Sequence, residues 1–345
     1  MDRAPRSGRP AAKRSDVAQL AGVSTAVVSY VVNGTKNVSP ETTARVREAI
    51  DLLGYRPNRT ARALRLGASE MLGMVLPDAT NPYFAMLARA VEEATAERGL
   101  TVLTANANGS LETENRRLEH LVDRGVDGVV LCSTVLDPDL RPLVGAGIPT
   151  VLLNHWADVA GVSTVGVDLW EGARLAVEHL AGHGLDRIGL VIGTNVGHVL
   201  DPREASWRHT VARLGRGEGP IVREPFTPWG GYAAGTKLVT GGDLPPALFV
   251  SSDRQALGLL RALHEAGIRV PEDVAIVSLD GSDDAAFSWP PLSTVAAPVE
   301  EMARVAVAAL IEGAGATARH VLLPTLVCRA SCGCTPARRA TAAAR

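Results

Sequence analysis

No stretch of the 345 residues is apolar for long enough to cross a bilayer, which takes about 20 residues. The basic segment Met1 to Arg14 lacks the apolar run of an export signal, so the expected location is cytoplasmic. The chain also lacks a G-x-G-x-x-G turn after its first predicted strand, a P-loop and a G-x-S-x-G elbow. Serine, histidine and aspartate occur without the spacing of a catalytic triad, and the expectation is that the protein is not an enzyme. Cysteine is scarce, with four residues expected to be reduced thiols. Cys328, Cys332 and Cys334 form C-x3-C-x-C without paired C-x2-C knuckles or a nearby histidine. They are expected in a solvent-facing, oxidisable tail, with no metal and no cofactor. His155, His198 and His209 lack ligand spacing and read as satisfied polar residues or the rim of a cleft. No internal repeat is short enough to mean a solenoid.

What is present is ordinary globular composition, 46% hydrophobic and 21% charged, in a chain too long for one core. The net charge of −2 hides an asymmetry. Residues 1–70 carry 12 Lys/Arg against 6 Asp/Glu, whereas the remainder carries 23 against 31. A basic end on an acidic body fits a phosphate-backbone contact confined to that end.

The basic end has an order of its own. Asp16 to Leu20 reads as an amphipathic helix offering Val17, Ala18 and Leu20 to a core, and Ala21-Gly22-Val23-Ser24 as a turn. Ser24 would cap a second helix running to Asn33. Ser39, Pro40 and Glu41 signal a third helix, ended by Gly54, with Ala44, Val46, Ala49, Ile50 and Leu53 as its apolar stripe. Val27, Val28, Val31 and Val32 are expected to pack inward. Pro57-Asn58 then opens a short basic helix to about Leu66, followed by the linker Gly67-Ala68-Ser69. Two helices across a tight turn place the second in a major groove while the first braces it.

In residues 13–67 the motifs Asp-Val-Ala, Ala-Gly-Val-Ser, Val-Ser-x-Val-x-Asn-Gly, Leu-Gly-Tyr-x-Pro-Asn and Ala-Arg-x-Leu follow in order. That segment resembles the headpiece of the lactose/galactose repressor (LacI/GalR) family, and the rest resembles the family's effector-binding core. The resemblance implies that Thr25, Ala26 and Tyr30 face base edges. Ser29, Asn33, Arg59 and the backbone near Ser24 are the expected phosphate contacts, Asn58 is a further DNA-binding residue at the start of the hinge, and Ala61-Arg62-Ala63-Leu64 is the hinge helix. Leu64 would be an apolar wedge in the minor groove, which requires two hinge helices side by side, hence a homodimer on a pseudo-palindromic operator in double-stranded DNA. A lactose-type tetramer would need a C-terminal heptad helix, and Thr335–Arg345 is too short for one.

From Glu70 onward short apolar strands alternate with amphipathic helices, implying parallel sheets covered on both faces. The expected fold class is therefore a helix-turn-helix headpiece joined to an α/β, two-lobed core like that of periplasmic binding proteins. The expected boundaries are a disordered basic arm at 1–12, the headpiece at 13–57, the hinge and linker at 58–69, the core at 70–334 and a flexible tail at 335–345. Within the core the first lobe takes about 70–167 and 296–324, and the second about 168–295 and 325–334, so three segments join them. Strands are expected at 221–224 and, as one piece, at 320–327.

Such lobes bind small ligands at the carboxyl ends of their strands. By resemblance, Arg203 and Asp280 grip ligand oxygens from opposite sides, a pairing suited to a sugar or related polyol. Asn81, Tyr83 and Phe84 would border the ligand, and Asn154 would meet its hydroxyls. Ser252 and Asp253 stand where relatives carry Asn-Asp, and Leu169 where they carry asparagine, both losses of amide hydrogen bonding. Phe226, with Trp229 and Trp156, would either stack on a sugar face or pack. A ligand-independent regulator of the same fold and a sugar-binding transport receptor are the alternatives; the second would need an export signal and no headpiece.

Overall fold

The computed structural model describes residues 12–56, 67–194, 200–312 and 317–334. The expected arm, hinge helix and tail, with Asn58, Arg59, Ala61, Arg62 and Leu64, lie outside the described residues. The chain separates into two compact units, 1–69 and 70–345.

The first unit contains α1 (Arg14–Ala21), α2 (Thr25–Asn33) and α3 (Pro40–Leu53). Ser24 accepts a hydrogen bond from the Val27 amide at 3.3 Å, and Ser39 does the same for Thr42, so both helices begin on side-chain caps. Gly22, at φ 65°, takes the left-handed conformation that turns the chain by 102° between α1 and α2. Val17, Ala18, Ala21, Val28, Val46, Ala49 and Tyr55 form the core, with Val31, Val32 and Ile50 packed against it. Leu20, expected inside, is 52% exposed because it lies about 100° around α1 from the 17-18-21 stripe. Ala44 faces away from the Val46–Ala49 stripe of α3 and is also exposed. Leu53 is exposed because the 14-residue α3 overhangs its shorter partners, and Tyr55 folds back to close the core instead.

The second unit has two six-stranded sheets. The first contains β1 (Met71–Leu76), β2 (Thr101–Asn106), β3 (Gly128–Leu131), β4 (Thr150–Leu153), β5 (Ser163–Val167) and β11 (Arg319–Leu322), in the order β11-β5-β4-β3-β1-β2. The second contains β6 (Arg187–Ile192), β7 (Gly217–Arg223), β8 (Ala247–Val250), β9 (Ala275–Asp280), β10 (Ser293–Ala296) and β12 (Thr325–Val327), in the order β12-β10-β9-β8-β6-β7. All pairings are parallel except that of β12 with β10. The strands are buried on both faces, which is why they read as unbroken apolar runs.

On the first sheet, α4 (Pro82–Ala96) and α12 (Val299–Glu312) cover one face, and α5 (Leu111–Asp123) with α6 (Arg141–Gly145) the other. On the second, α7 (Leu169–Gly182) and α8 (Pro202–Arg213) lie opposite α9 (Pro228–Thr240) and α10 (Asp253–Glu265), with the short α11 (Asp283–Phe287) following β9. The chain changes sheets after β5, after β10 and after β11. The expected strand 320–327 is two strands in different sheets, because Pro324 has no N–H to continue the ladder. The strand expected at 221–224 begins earlier, at Gly217. The C-terminal cysteines do not form a solvent-facing tail: Cys332 is buried in the second lobe's core and only Cys328 is exposed. Among the described residues, no single helix is long and apolar enough to cross a membrane.

Candidate functional site

In the headpiece, the capped start of α2 leaves Thr25 and Ala26 exposed side by side. Tyr30, one turn on, is half-buried, with the Lys36 ammonium 4.9 Å from its ring centroid. That contact keeps a cation beside the tyrosine, where a phosphate could meet it. Asn33 donates to the Ser29 carbonyl at 2.8 Å and contacts the Ser29 hydroxyl at 3.0 Å. These two expected phosphate contacts therefore bond each other, leaving the serine hydroxyl hydrogen free to turn outward. The exposed front of α2 carries hydroxyl, methyl and phenol groups and no arginine.

The second unit gathers polar side chains where the ends of β1 and β4 face those of β8 and β9. Asn81 caps α4, its side chain accepting from the Tyr83 amide at 3.1 Å, which directs Tyr83 inward. The Tyr83 hydroxyl donates to Asn154 Oδ1 at 2.8 Å, and Phe84 meets the Tyr83 ring edge-on at 5.5 Å. Burial and the charge of Asp280 push the Tyr83 phenol well above its ordinary range, while Arg203 pulls the other way. Residues from both lobes thus share one electrostatic neighbourhood. Asn154 itself has φ 60°, a left-handed backbone that asparagine tolerates.

Opposite them, Asp201 caps α8 and grips Arg203 in a bidentate fork, at 2.9 and 2.7 Å. Arg203 also donates to the Ser251 carbonyl at 3.1 Å and lies 4.9 Å from the Phe226 ring centroid. The guanidinium is held rigidly, with one planar face over an aromatic ring. Asp280, at the end of β9, is buried with a strained φ of 133°. Burial and the nearby charge of Asp253 hold its carboxyl well above the usual carboxylate range.

Asp253 and Ser252, expected at the ligand, are buried and bonded within the fold. Asp253 is 1% exposed, and its two oxygens accept from Ser278, Thr294, Gly281 and the amide and hydroxyl of Ser282 at 2.5–3.0 Å. With five donors its acceptor capacity is spent. Ser252 caps α10 through the Gln255 amide at 3.2 Å. Phe226 is 37% exposed, seated over Gly193, where a Cβ would fall 2.0 Å from its ring. His155 is buried with its Nε2 3.1 Å from the Leu136 carbonyl, a satisfied polar residue as expected.

Three contributors escaped the sequence. Asp201 is the partner of Arg203, and its Asp-Pro position at a helix start was a usable signal. Gln255 donates to the Glu224 and Pro225 carbonyls at 2.7 and 3.2 Å and so fixes the loop carrying Phe226. Arg254 on α10 reaches Asp78 beyond β1 at 2.8 Å, an ion pair between lobes across 176 positions, for which the sequence held no local sign.

A helix-turn-helix unit on a chain whose second unit is two largely parallel sheets around a polar cleft defines a class: a DNA-binding regulator with a ligand-binding core. Residues 15–58 match the bacterial regulatory proteins of the lacI family, and residues 177–332 match the periplasmic binding protein-like domain. The chain is 34% identical over 305 residues to the ribose operon repressor of Escherichia coli, covering 87% of this chain and 92% of that protein. The lac repressor dimer bound to operator and the anti-inducer ONPF superposes with a TM-score of 0.81 at 25% identity, covering 93% of this chain and 99% of that one. A complex of the transcriptional regulator CelR with cellobiose gives 0.67 at 31% identity, covering 94% and 100%. This chain belongs to the LacI family of transcriptional regulators, and it is not an enzyme.

Proposed function

We propose that the protein is a homodimeric cytoplasmic repressor whose affinity for a pseudo-palindromic operator is set by a sugar or related polyol held between its lobes. Thr25, Ala26 and Tyr30 read bases; Ser24, Ser29, Asn33, Asn58 and Arg59 hold phosphates. Ala61, Arg62 and Leu64 serve the hinge, with Leu64 as the minor-groove wedge. The observation that carries the ligand assignment is the facing set of Tyr83 and Asn154 on one lobe and Asp280 and Arg203 on the other. A polyol offers hydroxyls that both donate to Asp280 and Asn154 and accept from Arg203, while Phe84 and Phe226 cover its C–H faces. A ligand touching both lobes favours their closed arrangement, and that differential contact is what couples it to DNA.

The test is genome-wide binding of the purified protein to fragmented DNA of its own organism, at fixed salt, with and without Leu64→Ala. A short pseudo-palindrome, enriched by the wild type and lost by the variant, is the expected result. Sugars linked to the neighbouring genes should then change operator affinity, and Asp280→Asn should remove that response. Absence of any enriched sequence, or a response that survives Asp280→Asn, would overturn the assignment.

A further inference from the structure

The end of α7 and the segment after β12 bring together residues that lie about 150 positions apart in the chain. His179 sits in the last turn of α7 and His183 caps the helix one turn later, so the two imidazoles share a face. Their Nε2 atoms are 3.3 Å apart. Cys334 Sγ lies 3.6 Å from His179 Nε2 and 3.5 Å from His183 Nε2. With Cys332 Sγ, the four donor atoms all fall within 4.8 Å of one another.

These spacings can be compared with a tetrahedron around a zinc ion. Bonds of about 2.0–2.1 Å to nitrogen and about 2.3 Å to sulfur give edges of about 3.3 Å between nitrogens and about 3.6 Å between nitrogen and sulfur. The three edges among His179, His183 and Cys334 fit within about 0.1 Å, while those to Cys332 lie within 4.8 Å, so its sulfur has to draw inward on binding. We propose that His179, His183, Cys332 and Cys334 form a tetrahedral zinc site that fastens the segment after β12 to α7.

Two imidazoles and two thiolates are a donor set that selects zinc over harder cations. Cys332, the buried member, has the Ser293 hydroxyl 3.0 Å from its sulfur, an outer contact of the kind that orients a ligand. A cation here also meets the negative end of the α7 dipole. Binding releases the two thiol protons to solvent and changes no oxidation state. Cys328, exposed and 3.8 Å from His179 Nε2, also neighbours the Cys332 and Cys334 sulfurs, so it borders the quartet, and its substitution separates the four proposed ligands from a set that includes it. The histidines supply what the C-x3-C-x-C spacing lacks, and no local pattern in the sequence places them beside it.

The full chain, reduced and stripped of metal, is titrated with Zn²⁺ alone and with Co²⁺ alone. The expected result is about one ion per chain, with the intense visible bands and sulfur charge transfer of tetrahedral cobalt. His183→Ala and Cys334→Ser, both at accessible positions, should each weaken binding ~100-fold or more. Cys328→Ser should leave stoichiometry and spectrum unchanged. Zinc should raise the melting temperature of the wild type and of Cys328→Ser, and of neither ligand variant. Weak binding with the spectrum of octahedral cobalt while four thiols titrate as free would overturn the site. Retention of the metal by His183→Ala, or its loss in Cys328→Ser, would overturn the ligand assignment.

Discussion

Asp253 fixes the turn that carries Asp280. Its main-chain amide donates to Asp280 Oδ2 at 3.1 Å, while its carboxylate accepts from the amides of Gly281 and Ser282 at 3.0 and 2.7 Å. The strained φ of 133° at Asp280 persists because these bonds over-determine the turn. Of these two buried acidic residues, Asp253 fixes the turn and Asp280 is the one proposed to meet the ligand.

Replacing Asp253 with alanine removes the acceptor of two amides and three hydroxyls in the interior, of which Ser278 and Gly281 keep only a longer second bond, to the Ser293 carbonyl and the Thr294 hydroxyl. Asp253→Ala should cost about 3–5 kcal/mol, read as a lower midpoint in urea with little change in slope. A variant as stable as the wild type would show that water or a neighbour replaces the carboxylate.

Asp280 is a site residue that works against stability at neutral pH. Its folded-state carboxyl holds a proton more tightly than the unfolded chain does, so its contribution is fully present at low pH. That contribution declines as pH rises from the ordinary value of 3.8 through the raised folded value. Asparagine keeps the oxygen that accepts from Asp253 and has no charge to lose. Asp280→Asn should therefore melt higher than wild type at pH 8, with the gap shrinking towards pH 4, and should bind no polyol. An equal gap at both pH values would refute the protonation argument.

The Arg254–Asp78 pair ties the lobes together. Arg254 is 17% exposed and Asp78 38%, so the pair is worth about 1 kcal/mol. Arg254→Ala should weaken effector binding ~5-fold by depopulating the closed arrangement, with the Asp280 contacts intact. Hydrogen bonds to Thr80 and Arg254 hold the Asp78 carboxyl below its ordinary value of 3.8, outweighing the cost of its burial. Its stabilisation is thus present at neutral pH and lost only as pH falls through that lowered value. Isothermal titration of wild type and variant, with small-angle scattering of each, separates closure from contact.

Much of this was legible in the sequence because local signals and burial agreed. The caps Ser24 and Ser39 announced their helices, and strands buried on both faces read as apolar runs. Helix α2 starts after its Ser24 cap and ends at Asn33, where the pattern placed it. Resemblance singled out Arg203 and Asp280 as ligand contacts, and the structure adds that Arg203 is already forked onto Asp201. What stayed hidden depends on tertiary pairing: Asp78 with Arg254, Gln255 with the Glu224–Pro225 loop, and His179 and His183 with Cys334. The inward position of Asp253 is tertiary in the same way, since only its five donors reveal it. Leu20 and Ala44 are apolar yet exposed, because the helical period sets them off the buried stripes of α1 and α3.

The headpiece separates folding from reading on adjacent residues. Ser24 caps α2, so Ser24→Ala should lower headpiece stability by about 1 kcal/mol and weaken all DNA binding with it. Thr25 is exposed, and among the described contacts it shares no side-chain hydrogen bond. Thr25→Ala should leave the melting curve of the headpiece in place yet cost about 1–3 kcal/mol at the operator. The loss should concentrate at one symmetric pair of base positions, with nonspecific affinity and its salt dependence unchanged. Competition of operator against mutated operators at fixed salt measures this directly. A uniform loss across all competitors would reassign Thr25 from base reading to phosphate contact.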